Sequence, residues 1–370
     1  MLLLRRVGAL LAVVGLGSLP RAAQAVTASQ EAAALAAARA WLRNATVNNY
    51  AKAVRVAFHD CFDSGCDGCV DLRNPANAGL ERAVGELNAI HAAPSSGWSS
   101  SISRADWYAL VGTAALNEAG SGPGGALEQQ PALALVYGRA ACSDPQAARQ
   151  VRSFPSGLGG AAANLALFTG AGFSSAEFVA LVGGGHALGG AQQAESGFSG
   201  QWLPTPAGQL PNVFTRAYFG ELLGGKWTQV ACRHASVDPR VRCTAAPGAR
   251  LQWRGPPFSA APPGAPAPPL PGFMLNADIA LLKDIAFSNA ATGRVTARCA
   301  SSDRATCPDA STATWVRAFA APDAATTFAQ TFASAWGKLV SLGATTPLAA
   351  ATAHKPRGRR ARPRGAHASG

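Results

Sequence analysis

Charged and aromatic residues are scarce in this 370-residue sequence, at 14% and 7% of the chain. Apolar residues make up 48%, which excludes a disordered chain and is ample for a buried core. No apolar run reaches eighteen residues, so we predict no membrane span. The sequence also lacks a P-loop and a Gly-x-Ser-x-Gly elbow, which leaves a P-loop nucleotide-binding protein and a serine hydrolase of that type without support.

Basic residues are concentrated at the two ends of the chain. Residues 1–25 combine three arginines and no acid with a short apolar stretch and a small-residue site at Ala23-Gln-Ala25. This order is typical of a secretory signal peptide, with an organelle transit peptide as the alternative. Residues 353–370 carry one lysine and five arginines with no acid, which predicts a disordered tail. The simpler interpretation of the tail is a solvated appendage, and the alternative is attachment to an extracellular polyanion; we expect no nucleic-acid partner.

Eight cysteines in a chain with an export signal predict disulfides. Spacing suggests three local pairs, and elimination leaves a fourth: Cys61–Cys66, Cys232–Cys243, Cys299–Cys307 and Cys69–Cys142. The run Cys61-x4-Cys66-x2-Cys69 also matches three ligands of a plant-type iron–sulfur cluster. We favour disulfides, because the cluster needs Cys142 as a distant fourth ligand and an oxidising compartment disfavours thiolates.

Few segments alternate apolar and polar residues with period two, so we predict a mainly α fold. Helical character is found at residues 27–44, 48–62, 103–118, 178–186, 215–223, 278–286 and 324–342. The helix ending near His186 follows a capping box, Ser174-Ser-Ala-Glu177. Residues 256–271 contain eight prolines and are predicted to be a surface loop.

Two histidine motifs carry the chemistry of the chain. Arg55 and His59 are i and i+4 neighbours, so both side chains project from one face of a predicted helix. The guanidinium disfavours the imidazolium and keeps a neutral, base-competent ring. Downstream, His186 follows three glycines, Gly183 to Gly185, whose missing side chains would let a large flat ligand approach the backbone.

Together these motifs resemble the plant-type haem peroxidase superfamily over roughly residues 45–345. Arg55-Val-Ala-Phe-His59 is similar to the family's distal helix, and Gly183-Gly-Gly-His186 resembles its proximal helix, whose histidine ligates the haem iron. The resemblance implies a mainly α fold in which two helical lobes hold haem b between them. It further implies hydrogen peroxide and a small reducing donor as partners.

The resemblance extends to residues that support the two histidines. Asn77-Ala-Gly-Leu80 is similar to the segment whose asparagine accepts a hydrogen bond from the distal histidine. Met274-Leu-Asn-Ala-Asp278 resembles the strand-like segment that carries the proximal aspartate. Trp202 follows His186 by sixteen residues, as in the class I enzymes, ascorbate peroxidase and cytochrome c peroxidase. Because Asp278 lies beyond the proline-rich stretch, we interpret residues 26–352 as one peroxidase domain with an insertion at 255–272.

These assignments imply a role for each side chain. His59 moves a proton of hydrogen peroxide, Arg55 stabilises the developing charge, and Asn77 fixes the tautomer of His59. Asp278 raises the basicity of the ligand His186. Two further assignments are a radical-competent site at Trp202 and a cofactor contact at Phe58.

The chain is a hybrid, because its Phe-His-Asp-Cys sequence, disulfides and export signal are similar to secretory class III peroxidases. The distal loop retains Asp60, Gly65 and Asp67 of the family's calcium site, but Cys69 replaces its serine, so the resemblance leaves calcium open. In ascorbate peroxidase an arginine nine residues after the proximal histidine holds the substrate, and here that position is Glu195.

A carboxylate at that position is expected to repel ascorbate. We therefore predict an extracellular, haem-dependent peroxidase that oxidises small phenolic donors. The alternatives are ascorbate or cytochrome c oxidation, and a non-catalytic secreted haem-binding protein.

Overall fold

The computed structural model describes residues 25–44, 49–144, 154–204, 212–231, 251–255, 272–302 and 305–352. The segments outside it include four features predicted from the sequence: the signal peptide apart from its last residue, the Cys232–Cys243 pair, the proline-rich residues 256–271 and the tail.

Helices dominate the described residues, which confirms the predicted mainly α fold. The eleven α-helices there are α1 (Ala28–Leu42), α2 (Asn49–Ser64), α3 (Glu81–Ala92), α4 (Arg104–Gly120), α5 (Ala161–Gly170), α6 (Ser175–His186), α7 (Gln193–Ser196), α8 (Ala217–Gly224), α9 (Asn276–Leu282), α10 (Ala313–Ala320) and α11 (Ala325–Leu339). The helix predicted at residues 278–286 is wrong in its second half. Lys283 is extended there and pairs with Asp309 in an isolated antiparallel bridge.

The helices form two groups that share one hydrophobic core. Helices α1 to α3 pack on α4, while α5, α8, α10 and α11 surround α6. Helices α2 and α6, which carry His59 and His186, contact each other where the groups meet. The approach of α2 to α4 requires Gly112, because a Cβ there would lie 2.6 Å from the Cβ of Ala57.

Local sequence explains where α6 begins and how it packs. Ser174 accepts the N–H of Glu177, whose side chain accepts the N–H of Ser174, so the predicted capping box is present. Side chains at Gly183 and Gly184 would collide with core aromatic rings. These two glycines therefore serve close helix packing, which corrects the interpretation that all three leave room for a ligand.

Seven short strands form three antiparallel sheets in the part of the chain that the structure describes. They are β1 (Gly190–Ala191) with β2 (Gly200–Gln201), β3 (Thr228–Ala231) with β4 (Leu251–Arg254) and β5 (Phe273–Met274), and β6 (Phe287–Asn289) with β7 (Arg294–Val295). The β4–β5 pair brings together the two ends of the proline-rich stretch. Arg254 is opposite Phe273, and the N–H of Gly255 donates to the carbonyl of Gly272 at 3.3 Å.

From this pairing we predict that the proline-rich stretch can be removed. Deleting residues 256–271 joins Gly255 to Gly272, and a Gly-Gly pair suits a two-residue hairpin turn between β4 and β5. We expect the deletion to change the melting temperature by less than about 2 °C, which for a domain of this size corresponds to roughly 1 kcal/mol. Thermal unfolding followed by circular dichroism checks this. Loss of the folded helical signal would show that the stretch supports the core.

Three of the predicted disulfides are present: Cys61–Cys66, Cys69–Cys142 and Cys299–Cys307. Among the described residues no cysteine is free, so the thiolates that an iron–sulfur cluster needs are absent there. Cys61–Cys66 closes the turn that follows α2, where Gly65 has φ +88° and Cys66 has φ +53°. The bond holds Cys66 in a left-handed conformation that L side chains rarely adopt.

Across the described segments, no single helix is both long and apolar enough to cross a membrane. Helices α5 and α6, bent by 108° relative to each other, pass that test only when taken as a pair.

Candidate active site

His59 lies on the buried side of α2, with 8% of its surface exposed. Its Nδ1 lies 2.6 Å from Oδ1 of Asn77, and the amide of Asn77 donates through Nδ2 to the carbonyl of Asp71 at 2.9 Å. The second bond orients the amide so that its oxygen faces the ring. Because that oxygen can only accept, His59 carries its proton on Nδ1 and a lone pair on Nε2.

Arg55 lies one turn before His59 and donates a hydrogen bond to the lone pair on Nε2 of His59. Its Nε donates to Nε2 of His59 at 3.3 Å, and its Nη2 donates to the carbonyl of Ala76 at 2.9 Å. Burial lowers the pKa of Arg55, while the carboxylates of Glu195 and Glu81 act in the opposite direction. The structure thus brings Arg55, His59 and Asn77 together as one hydrogen-bonded group.

His59 is held neutral by its surroundings. Burial, followed by the nearby charge of Arg55, lowers its pKa to about 3, and the bond to Asn77 opposes this only in part. A ring that stays unprotonated from mildly acidic to neutral pH can accept a proton over that whole range.

The depressed pKa predicts a pH-dependent stability. Unfolded histidine has a pKa of about 6.5, so the unfolded chain binds a proton that folded His59 refuses between about pH 6.5 and 3. The stabilisation is complete above pH 6.5 and decreases as the pH falls, by up to about 1.4 kcal/mol per pH unit. We expect His59→Leu to gain stability relative to the parent as the pH is lowered from 7 to 4.5. Denaturant unfolding at several pH values checks this, and a pH-independent difference between the two proteins would contradict it.

His186 is the last residue of α6 and 29% of its side chain is exposed. Its Nδ1 lies 2.6 Å from Oδ1 of Asp278, which is fully buried in the first turn of α9. Since a carboxylate accepts, Nδ1 of His186 carries the proton, and Nε2 is the remaining ring nitrogen. Asp278 lies in α9, as the helix predicted from residue 278 requires, and the strand-like part of its segment is β5, which ends at Met274.

Asp278 is the centre of the proximal hydrogen-bond network. Its Oδ1 also accepts the hydroxyl of Tyr218 at 2.6 Å, and its Oδ2 accepts Nε1 of Trp202 at 2.9 Å and the N–H of Leu275 at 2.6 Å. Burial alone would raise the pKa of Asp278, but His186, Tyr218 and the N–H of Leu275 outweigh it and lower that pKa. The Trp202 ring stacks on His186 with centroids 4.3 Å apart and 20° between the planes.

Tyr218 was not predicted as a site residue from the sequence, although it lies within the predicted helix at residues 215–223. A tyrosine in an apolar helix is usually predicted to be a core residue, and Tyr218 is indeed fully buried. Burial, then the charge of Asp278, raises its pKa well above the usual value. The hydroxyl thus stays protonated and donates to the same oxygen as His186.

Phe58 contacts the aromatic core more than the histidines. It stacks on Phe62 with centroids 5.4 Å apart and meets the edge of His59 at 5.9 Å. Phe154 lies closer to His59, at 4.6 Å. A cofactor contact for Phe58 stays a prediction, and Phe154 is an aromatic neighbour of the site that the sequence did not reveal.

The loop that retains part of the family's calcium site is built around one backbone amide. Oδ1 of Asp60 and Oδ1 of Asp67 both accept the N–H of Cys69, at 3.0 and 3.1 Å, and Asp67 also accepts Ser64 Oγ at 2.9 Å. Gly65 supplies the left-handed turn between the two carboxylates. Calcium binding here stays the open alternative that the resemblance left.

Glu195 does not present an unpaired charge. Its Oε2 lies 2.6 Å from Nζ of Lys52, which also donates to the carbonyl of Gly79 at 2.6 Å. The lysine offsets the charge that was expected to repel an anionic donor. The discrimination against ascorbate expected for Glu195 stays a prediction.

Comparison with known proteins gives the family. Residues 34–322 match the family model described as Peroxidase. The chain belongs to the plant-type haem peroxidase family.

Three relatives illustrate the match. The chain is 31% identical over 184 residues to the rice (Oryza sativa subsp. japonica) protein named probable L-ascorbate peroxidase 4, peroxisomal, covering 47% of this chain and 55% of that one. It is 33% identical over 158 residues to the mitochondrial cytochrome c peroxidase of Yarrowia lipolytica, with coverages of 42% and 40%. It is 31% identical over 188 residues to a protein of Pyricularia oryzae named as a heme-binding peroxidase, with coverages of 48% and 56%. The chain thus spans about half the length of the curated relatives it matches.

The haem that this family implies fits the residues around His186. The partly exposed ring has its Nδ1 engaged by Asp278, so Nε2 is the nitrogen left for iron. Beside it, a Cβ added to Gly185 would meet no atom within 4 Å, so the backbone there is open to a flat ligand. Of the three glycines, Gly185 alone fits the predicted role.

Proposed function

We propose that the chain is a haem peroxidase that reduces hydrogen peroxide and oxidises a small donor. One observation carries the proposal: two histidines have their Nδ1 atoms fixed by side-chain oxygens, so each directs its Nε2 away from its support. His59 suits a proton acceptor, since it is buried beside a guanidinium. His186 suits a metal ligand, since it is partly exposed and backed by a carboxylate.

Bound haem would supply an iron centre at which peroxide is reduced and the donor oxidised, held through Nε2 of His186. Asp278, by accepting the Nδ1 proton, makes that nitrogen a more basic ligand. His59 takes a proton from one peroxide oxygen at Nε2 and returns it to the other, so that water can leave as the O–O bond breaks. Two electrons and two further protons complete the conversion of peroxide to two waters.

Arg55 must change partners during this proton transfer. Its Nε occupies the His59 lone pair, and Nε2 can accept the peroxide proton only when that bond is released. The guanidinium is then free to donate to the oxygen on which negative charge develops. The carbonyl of Ala76 keeps Nη2 in place, so only part of the side chain has to move.

The donor in this proposal is a neutral phenol. The two cations Lys52 and Arg55 are accompanied by the carboxylates of Glu195 and Glu81, so the region offers no net positive charge to an anion. A second candidate is ascorbate or cytochrome c oxidation. The stacking of Trp202 on His186 and the names of two relatives favour it.

Three further assignments belong to the proposal. Residues 26–352 form one peroxidase domain with the proline-rich insertion, which is supported by the contact of Trp202 with Asp278 and by the β4–β5 pairing across the insertion. Three disulfides support passage through a secretory route. The peroxisomal and mitochondrial names of relatives support the organelle alternative.

Haem titration tests the proposal. The purified chain should take up one equivalent of haem with a Soret band, and the loaded protein should oxidise guaiacol only when hydrogen peroxide is present. Uptake without peroxide-dependent guaiacol or ascorbate oxidation would support the non-catalytic alternative. Failure to take up haem would contradict the proposal altogether.

A further inference from the structure

We propose that Lys52 is a latent anion-binding residue and that Glu195 masks it, so that this ion pair sets the charge of the donor that the site accepts. The inference rests on the proposed function and names the residues that select the substrate class.

The ion pair joins three segments of the site. Lys52 lies on α2, three residues before Arg55. Its Nζ donates to Oε2 of Glu195 and to the carbonyl of Gly79, each at 2.6 Å. Gly79 closely follows Asn77 in the chain, and Glu195 lies in α7, nine residues after His186. The pair therefore connects α2, which carries His59, and the loop after Asn77 to the segment that follows His186.

Its position is accessible yet ordered. The Lys52 side chain is 20% exposed and that of Glu195 34%, so a solute can reach both. Gly79 has φ +82°, and a Cβ there would lie 2.5 Å from Oε2 of Glu195. The carboxylate is thus seated directly against the backbone of the loop.

The charges of Lys52, Arg55 and Glu195 determine which solutes this part of the site can bind. Glu195 is close enough to oppose the lowering of the Arg55 pKa, so it acts on both Lys52 and Arg55. Removing its charge leaves two cations, of which Arg55 keeps the opposing charge of Glu81. Lys52 would then have donor capacity for a new anion, since Gly79 accepts only one of its three N–H groups.

The test measures binding of ascorbate to the haem-loaded full chain by anaerobic isothermal titration without peroxide. The parent should bind weakly and Glu195→Gln about tenfold more tightly, which is about 1.4 kcal/mol. The gain should shrink as salt is raised, because partly exposed charges are screened. Steady-state assays should show the ascorbate-to-guaiacol ratio of kcat/KM rising in the same variant.

Three further variants make the test specific. Lys52→Gln combined with Glu195→Gln should return binding to the parent level, whereas Lys52→Arg with Glu195→Gln should keep the gain. Lys283→Gln removes a lysine from a remote ion pair with Asp309 and should bind as the parent does.

Two results would overturn the inference: Glu195→Gln that binds ascorbate no more tightly than the parent, or a double Gln variant that binds as tightly as Glu195→Gln. A parent that takes up no haem or oxidises no guaiacol contradicts the proposed function instead. The ion pair is made by protein atoms alone and the titration needs no turnover, so the same comparison among the variants, run on the haem-free chain if no haem is taken up, still decides the role of Lys52.

Discussion

His59→Leu should slow the reaction with hydrogen peroxide by about 10²–10⁴-fold while leaving haem uptake intact. The reason is that Nε2 of His59 is the proton acceptor of the site, kept unprotonated by burial and by Arg55. Leucine fills a similar volume and cannot move a proton. Stopped-flow absorption of the haem-loaded variant, mixed with peroxide in the absence of donor, measures the rate directly.

Two other variants separate proton transfer from general damage. His91 bonds to the carbonyl of Ile102 outside the site, so His91→Gln should react with peroxide at the parental rate. Asn77→Val removes the acceptor that holds Nδ1 of His59 and should give an intermediate rate, because the ring keeps its lone pair but loses its orientation. A His59→Leu protein that reacts as fast as the parent would show that His59 is not the distal base.

His186→Ala should weaken haem retention more strongly than any other single substitution. Loss of an outer-shell partner such as Asp278 typically costs about 10–100-fold in affinity, and loss of the ligand itself should exceed that. Haem transfer to apomyoglobin, followed at the Soret band, gives the rate of loss for each variant. His91→Gln again serves as the histidine control.

The vacated space offers a chemical rescue. Asp278, Trp202 and Tyr218 remain in His186→Ala, so free imidazole can enter and donate to the same carboxylate oxygen. Added imidazole should restore haem retention in this variant and have no effect on the parent. Parental retention in His186→Ala without imidazole would contradict the ligand assignment.

The residues that sequence reasoning brought together differ in how far apart they lie in the chain. Arg55 and His59 follow from helix periodicity alone, since their spacing places both on one face. Pairing His186 with Asp278 spans 92 residues and required the family resemblance, because no local pattern links them. The helical class and the capping box at Ser174 are likewise local properties and were predictable.

What the sequence could not show depends on contacts between distant segments. Lys52 is an ordinary polar position on α2 until Glu195 is found beside it, 143 residues away. The sequence predicts only a core position for Tyr218, and the structure shows that its hydroxyl donates to Asp278. Gly183 and Gly184 look like Gly185 in sequence, and only the aromatic rings packed against them distinguish their roles.

The most direct test of the account is the absorption spectrum of the haem-loaded protein before and after one equivalent of hydrogen peroxide, followed by guaiacol. We predict a Soret band that shifts rapidly with peroxide in the parent and returns when guaiacol is added, and a much slower shift in His59→Leu. A parent spectrum that peroxide leaves unchanged, in protein carrying one haem per chain, would contradict the assignment of this site as a peroxidase centre.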